Sequence, residues 1–224
     1  MKKLSVSADF LKIIALITMT LDHFSKVFGV GVFLSDTFGR MAFPIFSFLV
    51  IKNLYQYHPV KKYLIRLGGF GILTSVLIYL FNPEQHNVLF TFFWAVLFIS
   101  VLEYLSVHIY ILFWQVYLSG LLFLSLFPFI LRADYSIFGF FFLMALYTWF
   151  RFPTKLNYGA VLITASAMNF VGVLPVLFTL LPLVFLMSFC HIKGGKRLIK
   201  WWMFYVYYPL HRLFLYAIKV LFFG

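Results

Sequence analysis

The stretch VLFTFFWAVLFISVLEYL, residues 88–105, decides the fold class. Glu103 is its one charged residue, and nearly all the others are aliphatic or aromatic. A helix must present about 20 predominantly apolar residues to cross a bilayer, because the hydrocarbon core cannot solvate polar side chains. We therefore predict that this segment is a transmembrane helix.

The rest of the chain has the same character. Of its 224 residues, 64% are hydrophobic and 11% are charged, whereas soluble domains average about 45–50% and about 25%. We predict an all-α fold, a polytopic integral membrane helical bundle of about nine transmembrane helices that forms a single domain over residues 1–224. The eight further predicted spans are residues 10–29, 39–57, 66–81, 109–131, 135–150, 157–172, 173–189 and 201–222.

The distribution of basic residues predicts the orientation in the membrane. The formal net charge is +12, which in a soluble protein would favour nucleic-acid binding. Here the basic residues lie between the apolar runs. If the N-terminus is cytoplasmic and the spans alternate, all but five of the 18 Lys and Arg residues lie at cytoplasmic ends, as the positive-inside rule requires. The five exceptions are Lys26, Arg40, Arg132, Arg212 and Lys219.

Ionisable side chains inside the predicted spans are the first candidates for function, because they are costly in lipid. Asp22 and His23 lie in the first span, and Arg40 opens the second. His211 lies about ten residues into the last span, just after Pro209, where we predict a kink or break. We predict that the two histidines and two arginines, His23, His211, Arg40 and Arg212, converge in the outer half of one bundle.

Each candidate also has a structural interpretation. A buried His often only hydrogen-bonds to a neighbouring helix, Asp22 can serve simply as the counter-ion of Arg40, and Arg212 can lie near the interface. Two His on separate helices with no third ligand do not make a metal site, so we predict no metal. Cys190 is the single cysteine, which excludes an intramolecular disulfide.

The segment HIKGGKR, residues 191–197, is the densest basic loop on the predicted inner face. One interpretation is that it sets the topology and binds anionic lipid. The other is a phosphate site, since glycines let backbone N–H groups approach while Lys and Arg supply charge. The spacing is not that of a P-loop, so a nucleoside triphosphatase is not indicated.

Six short stretches, spread between about residues 9 and 216, share their pattern with a known family. They resemble the TraX family, the conjugal-transfer pilin acetylases and their chromosomal relatives. The stretches are LKIIAL (11–16) with LDH (21–23), GRMAFPIF (39–46), KKYLIRL (61–67), NVLFT (87–91), DYSIFG (134–139) and FYVYYPLH (204–211).

A wider resemblance lies in the spacing of three residues in the first span. Asp9 and Lys12, followed by His23, resemble the Asp-x-x-Arg…His opening helix of the multi-pass membrane acyltransferases, with Lys in place of Arg. In those enzymes the His is thought to act on the acceptor.

The TraX resemblance implies an acetyltransferase in the bacterial cytoplasmic (inner) membrane. It implies transfer of acetyl from cytoplasmic acetyl-CoA to an amine of a pilin or another peptide, or to a hydroxyl or glycan, with no metal and no nucleic acid. The implied catalytic residues are His23, as base or acceptor-orienting group, with Asp22, Arg40 and His211. The implied acetyl-CoA-binding residues are Lys12, Lys61, Lys62, Arg66, Lys193, Lys196 and Arg197.

Two other classes of protein stay open at this point. A membrane transporter or flippase also uses short, Pro- or Gly-interrupted spans and intramembrane charges, although we find no internal repeat here. A non-catalytic subunit of an envelope assembly would tolerate Ala at Asp22, His23 and His211. Product formation from acetyl-CoA separates the enzyme from both.

Overall fold

The regular structure is helical apart from one pair of short strands. A computed structural model describes residues 4–80, 87–108, 113–124, 134–170, 172–193 and 200–223. In chain order the elements are β1 (Leu4–Ser7), α1 (Ala8–Phe28), α2 (Val32–Asp36), a 3-10 helix (Phe38–Met41), α3 (Ala42–Tyr57), α4 (Val60–Tyr79), α5 (Val88–His108), α6 (Phe113–Leu124), α7 (Ser136–Arg151), α8 (Lys155–Ala167), α9 (Val173–Val184), a π-helix (Phe185–Phe189), β2 (Cys190–Lys193) and α10 (Trp201–Phe223).

Each predicted span overlaps a helix, although α4 begins six residues before its predicted span 66–81, and nine full transmembrane helices are not confirmed. Among the described residues, three helical segments are long and apolar enough to cross a membrane. They are Phe33–Tyr57, which runs from α2 through the 3-10 helix into α3, Val60–Tyr79 and Val88–Ser106. Helix α8 has 13 residues, and α9 with the π-helix that follows it covers Val173–Phe189. Both are shorter than the roughly 20 residues that a span needs. Much of the predicted span 109–131 lies outside the described residues.

The chain divides into two compact units, which we describe separately. The first comprises Met1–Val50 and Ala165–Gly224, and the second comprises Ile51–Thr164. The long apolar helices make this a membrane protein of the α-helical class. A single domain over residues 1–224 stays a prediction.

In the first unit, the two ends of the chain run side by side in the same direction. Strands β1 and β2 pair in parallel, with Ser7 opposite Lys193. Along α1 and α10 the contacts advance together, because the Lys12 ammonium lies 4.9 Å from the Phe204 ring centre and Thr20 Oγ1 lies 2.6 Å from the Tyr207 hydroxyl. When successive spans alternate in direction, the first and last helices run parallel only if the number of spans is odd.

The fold is helical as predicted, and the short strand pair is the one addition among the described residues that the sequence does not reveal. Each strand has four residues, too short for a period of two to stand out beside the long apolar runs. Strand β1 leads directly into α1, whose first turn is capped by Ser7, since its hydroxyl accepts a hydrogen bond of 3.1 Å from the Phe10 N–H.

Helix α10 runs through Pro209 without a break. The sequence predicts a kink or break there. The helix is continuous from Trp201 to Phe223, so the break is absent and the kink stays a prediction. Proline removes one backbone donor, and in membrane helices neighbouring side chains and small backbone adjustments accommodate the loss. The residues on both sides of Pro209 therefore keep their helical spacing, which places Tyr207 and His211 one turn apart.

The second unit is built around α5. Two glycines of α4, Gly68 and Gly71, face the rings of Phe93 and Phe90, so that an added Cβ would lie 3.3 Å and 3.2 Å from ring carbons. As the position rises along α4 it falls along α5, so these neighbouring helices are antiparallel. The small glycine surfaces let the two helices approach closely, as is common in membrane bundles.

A polar cluster joins α5 to α7 within the same unit. The Glu103 carboxylate lies 3.3 Å from Arg151 Nη1 and 3.4 Å from His58 Nε2, and it accepts a hydrogen bond from the Tyr147 hydroxyl. At the other end of the two helices, the Thr91 hydroxyl donates to the Asp134 carbonyl. Glu103, the one charge in the stretch that decides the fold, is therefore paired.

Candidate functional site

Two histidines from distant parts of the sequence meet between α1 and α10. The distance from His23 Nδ1 to His211 Nε2 is 2.6 Å, and the two rings are stacked with centres 4.9 Å apart. Both side chains are buried. The convergence of His23 and His211 that the sequence analysis predicts is therefore present within the first unit.

Arg212 determines which nitrogen of His23 carries the proton. Its Nη2 atom lies 2.9 Å from His23 Nε2, and a guanidinium can only donate hydrogen bonds. His23 Nε2 must accept, so the ring proton of a neutral His23 is on Nδ1. That N–H then donates to His211 Nε2.

The same logic fixes the second histidine. Because His211 Nε2 accepts from His23, its own proton is on Nδ1, which lies 2.8 Å from the Tyr207 carbonyl oxygen. The Tyr207 ring also stacks on the His211 ring, with centres 5.0 Å apart and planes 10° apart. The four groups form one directed series of hydrogen bonds, from Arg212 through His23 and His211 to the Tyr207 carbonyl.

The site lies well inside the helices. At about 1.5 Å per residue, His23 is roughly 22 Å along α1 from Ala8, and His211 is roughly 15 Å along α10 from Trp201. Arg212 is only 3% exposed, and its guanidinium carbon lies 4.9 Å from the centre of the Tyr208 ring. Such a cation–π contact attracts the charge without neutralising it.

The predicted pairing of Asp22 with Arg40 is replaced by two local ion pairs. Asp22 Oδ2 lies 2.6 Å from Lys26 Nζ, and Asp22 Oδ1 accepts a 2.6 Å hydrogen bond from the Ser35 hydroxyl. Arg40 Nη2 lies 3.1 Å from Asp36 Oδ1. The partners in both ion pairs are four residues apart in the sequence. Side chains at this spacing are neighbours on a helix, so each ion pair forms locally.

Asp22 therefore ties three elements together. It connects α1 to Ser35 on α2, and it faces Gly39 of the 3-10 helix so closely that a Cβ on Gly39 would lie 2.7 Å from the Asp22 Cβ. Only a residue without a side chain permits this approach. These contacts give Asp22 a structural role next to the histidine pair.

Lys12 and Asp9 form a pair near the start of α1. Their Nζ and Oδ1 atoms are 3.1 Å apart, and the Asp9 side chain is buried while that of Lys12 is half-buried. Lys12 also lies over the Phe204 ring of α10. The acyltransferase-like Asp9, Lys12 and His23 thus share one helix that faces α10 along its length.

The predicted acetyl-CoA residues are divided between the two units. Lys193 is exposed on β2, beside the strand that leads into α1. Lys196 and Arg197 lie outside the described residues. In the second unit, Lys61 and Lys62 are exposed at the start of α4, and Arg66 is half-buried one turn later.

The contact of Arg212 goes beyond the prediction from sequence. The sequence predicts that Arg212 converges with the histidines, with a position near the interface as the alternative, and the structure buries it directly against His23. The signal was present, since Arg212 is an ionisable residue inside a predicted span and adjoins His211. Neighbouring residues of a helix point about 100° apart, and the sequence alone does not reveal that His23 lies between those two directions.

The described residues offer no metal centre. Within the ranges given above, no group of three or more His, Cys, Asp or Glu side chains is close enough to hold an ion. The donor set at the His23–His211 pair is two imidazoles and a cationic guanidinium. Their chemistry suits proton transfer and the binding of an anion or a polarised carbonyl.

Comparison with known proteins gives a family for the chain. Among curated proteins, Protein TraX of Escherichia coli is 34% identical over 87 residues, which cover 38% of this chain and 35% of that relative. The match thus spans about a third of the relative's length, and no solved structure matches the chain. The model of a family described as TraX protein matches residues 7–219. Because that match covers nearly the entire sequence, the chain belongs to the TraX family.

Proposed function

We propose that the chain is an integral-membrane acetyltransferase that moves acetyl from cytoplasmic acetyl-CoA to an acceptor at the membrane. The acceptor is the N-terminal amine of a pilin or another peptide, or a hydroxyl such as that of a glycan. The observation that carries the proposal is the buried, directed hydrogen-bond series through His23 and His211. Membership of the TraX family supports it.

Acetyl transfer to an amine requires a base, a group that stabilises the thioester oxygen as it becomes negative, and exclusion of water. His23 is the proposed base, acting through Nε2. His211 is the proposed positioning residue, because it accepts the His23 Nδ1 proton at 2.6 Å and is itself anchored to the Tyr207 carbonyl. A base held in one tautomer by a second group is a recurring arrangement in acyl transfer.

Asp22 and Arg40 support the site in this proposal. Asp22 holds α2 and the 3-10 helix against α1, and Arg40 pairs with Asp36 at the end of α2. These contacts keep fixed the part of α1 that carries His23.

Acetyl-CoA is proposed to enter from the cytoplasmic ends of the helices. Its phosphates cannot enter hydrocarbon, so they remain near basic residues while the acetyl group extends inward. Lys193 lies opposite Ser7 at the start of α1, the same helix on which His23 lies some 22 Å further along. The residues of the first unit proposed to bind the phosphates are Lys12, Lys193, Lys196 and Arg197, and Lys61, Lys62 and Arg66 of the second unit are proposed as a separate alternative.

The test is incubation of the purified protein with labelled acetyl-CoA and bacterial membranes, followed by identification of the molecule that takes the label. His23→Ala is expected to abolish transfer while leaving insertion and acetyl-CoA binding intact. General-base catalysis contributes roughly 10²–10⁴-fold, so the loss far exceeds assay noise. The control is Lys219→Gln, which changes an exposed residue of α10 outside the proposed site.

His23→Gln refines the test, since Gln keeps hydrogen-bonding atoms but cannot take the proton at neutral pH. It is expected to be nearly as inactive as Ala. Active Gln with inactive Ala would make His23 a positioning residue. Near-normal turnover in His23→Ala would contradict the mechanism, and absence of any acetylated product from the wild type would favour a transporter or an assembly subunit.

A further inference from the structure

Arg212 carries more hydrogen-bond donors than the protein uses. Its Nη2 donates to His23, but Nε and Nη1 are buried and have no partner among the described residues. No described carboxylate forms an ion pair with it, and its other close contact is the face of the Tyr208 ring. Arg212 is 3% exposed, and two of its guanidinium nitrogens have no hydrogen-bond partner among the described residues at the centre of the site.

A buried guanidinium with unpaired donors lowers the stability of the protein unless a ligand accepts hydrogen bonds from it. Burial of a charge without a counter-charge is strongly unfavourable, and each buried donor without an acceptor adds to the cost. The missing partner is an oxygen that carries negative charge, or one that acquires it during a reaction. A guanidinium binds such oxygens with several donors at once.

We infer that Arg212 is the receptor for the carbonyl oxygen of the acetyl thioester and stabilises the oxyanion that forms there. The inference rests on the proposed acetyltransferase function. Its particular support is location, because Arg212 lies 2.9 Å from the nitrogen that serves as the base. A nucleophile that donates to His23 Nε2 then places the carbonyl oxygen it attacks within reach of Arg212.

In the structure, hydrogen bonds already occupy the basic nitrogens of both histidines, so a substrate must displace one of these bonds. Arg212 Nη2 occupies the lone pair of His23 Nε2, while His211 Nε2 accepts from His23 Nδ1. Neither ring therefore has a free basic nitrogen. An acceptor amine takes the place of Arg212 at Nε2, and the guanidinium turns its donors to the thioester oxygen, so both events belong to the same rearrangement.

The reaction balances with these groups alone. The amine nitrogen forms a bond to the thioester carbon, and the π-electron pair moves to the oxygen held by Arg212. His23 Nε2 takes the proton that the nitrogen loses. The oxyanion then collapses, the carbon–sulfur bond breaks with its electron pair on sulfur, and His23 returns the proton to give the free thiol of CoA and the amide.

The test compares Arg212→Gln with Arg212→Lys in nanodiscs, with Lys219→Gln, an exposed basic residue of α10, as the control. Gln still offers an N–H to His23 Nε2, but it removes the charge. Loss of one oxyanion donor lowers kcat by about 10²–10³-fold, and we expect a loss of that size in Gln and a smaller one in Lys. Acetyl-CoA affinity is expected to stay within about threefold, because the stabilisation arises in the transition state.

Thermal stability is the second measurement. If Arg212 had a purely structural role, its replacement by Gln would lower the thermal stability. Since Gln removes a buried charge that has no counter-ion, the variant is expected to be at least as stable as the wild type. Turnover of Gln within about tenfold of wild type would overturn the assignment to Arg212 and leave the proposed function standing. Parallel loss of stability and activity would also overturn it. Absence of transfer by the wild type would instead end the proposed function itself.

Discussion

His23 and His211 are 188 residues apart in the sequence, and their rings share a 2.6 Å hydrogen bond. Its direction is set from outside the pair, since Arg212 can only donate to His23 and the Tyr207 carbonyl can only accept from His211. The pair is therefore polar and ordered. It differs from two histidines that merely pack together, because each ring nitrogen donates or accepts one defined hydrogen bond.

The first prediction concerns the second histidine of this pair. His211→Ala removes the acceptor for His23 Nδ1–H, and we expect kcat to fall roughly tenfold to hundredfold, less than for the base itself. His211→Gln supplies a side-chain oxygen that can accept the same hydrogen bond, so it should recover much of the loss. Initial rates with labelled acetyl-CoA measure both. Equal rates for Ala and Gln would mean that the ring of His211 serves another purpose.

The second prediction concerns the close contact at Gly39. A Cβ there would lie 2.7 Å from the Asp22 Cβ and 3.2 Å from its backbone Cα. Because the backbone of α1 cannot retreat cheaply, Gly39→Ala should lower the free energy of unfolding by about 1–3 kcal/mol. Denaturation in mixed micelles measures it.

Gly69→Ala is the control for this substitution. It adds the same methyl to α4, where nothing lies within 4 Å. Alanine is the better helix former, so the control should be neutral or stabilised by up to about 1 kcal/mol. A similar loss in both variants would contradict the close-contact explanation.

The third prediction separates the two bonds of Asp22. Asp22→Asn loses the ion pair with Lys26, whose side chain is 45% exposed, which should cost less than about 1 kcal/mol. It keeps an oxygen for the Ser35 hydroxyl. Asp22→Ala leaves that buried hydroxyl without its acceptor and should cost about 1–3 kcal/mol. Loss of activity in Asn at unchanged stability would show that Asp22 acts in the chemistry.

The positions of the helices could be predicted from sequence because lipid restricts what a chain can do. Every backbone polar group inside a bilayer must be satisfied internally, so an apolar run becomes a helix of nearly the same length. The run 88–105 became α5, Val88–His108. Sequence did not reveal β1 and β2, because four residues that adjoin a helix carry little pattern.

The site could be predicted as a set of residue types, but not as a set of bonds. His23 and His211 were found because they interrupt apolar runs. The predicted pairing of Asp22 with Arg40 is wrong, because Lys26 lies one helical turn from Asp22 and pairs with it instead. Local i, i+4 partners cost little ordering entropy, so they deserve precedence over long-range ones.

The fourth prediction concerns the donor. Changing Lys193, Lys196 and Arg197 together to Gln should raise the Kd for acetyl-CoA at least about tenfold. Charge-assisted hydrogen bonds contribute about 1.5–3 kcal/mol each when well formed, and less at exposed positions such as Lys193. Binding of acetyl-CoA to nanodiscs measures the change, with Lys219→Gln as control. Unchanged affinity would assign the loop to topology or lipid and shift the search to Lys61, Lys62 and Arg66.

The last prediction concerns sidedness, and it follows from the parallel course of the two chain ends. Strands β1 and β2 are paired, so Ser5 and His191, both exposed, must lie on the same side of the membrane. The positive-inside rule predicts that this side is the cytoplasm. In a Cys190→Ser background, cysteines at these two positions should react with an impermeant maleimide only after the cells are opened.

Cysteines at the far ends of α1 and α10 supply the complementary half of the test. Val30 and Phe222 are exposed there, and cysteines in their place should react in intact spheroplasts. Labelling of Ser5 and His191 positions from opposite sides would contradict the parallel pairing itself. Labelling of both from outside would keep the fold but reverse its orientation, and the phosphates of acetyl-CoA could then no longer reach the basic ends of α1 and β2 from the cytoplasm.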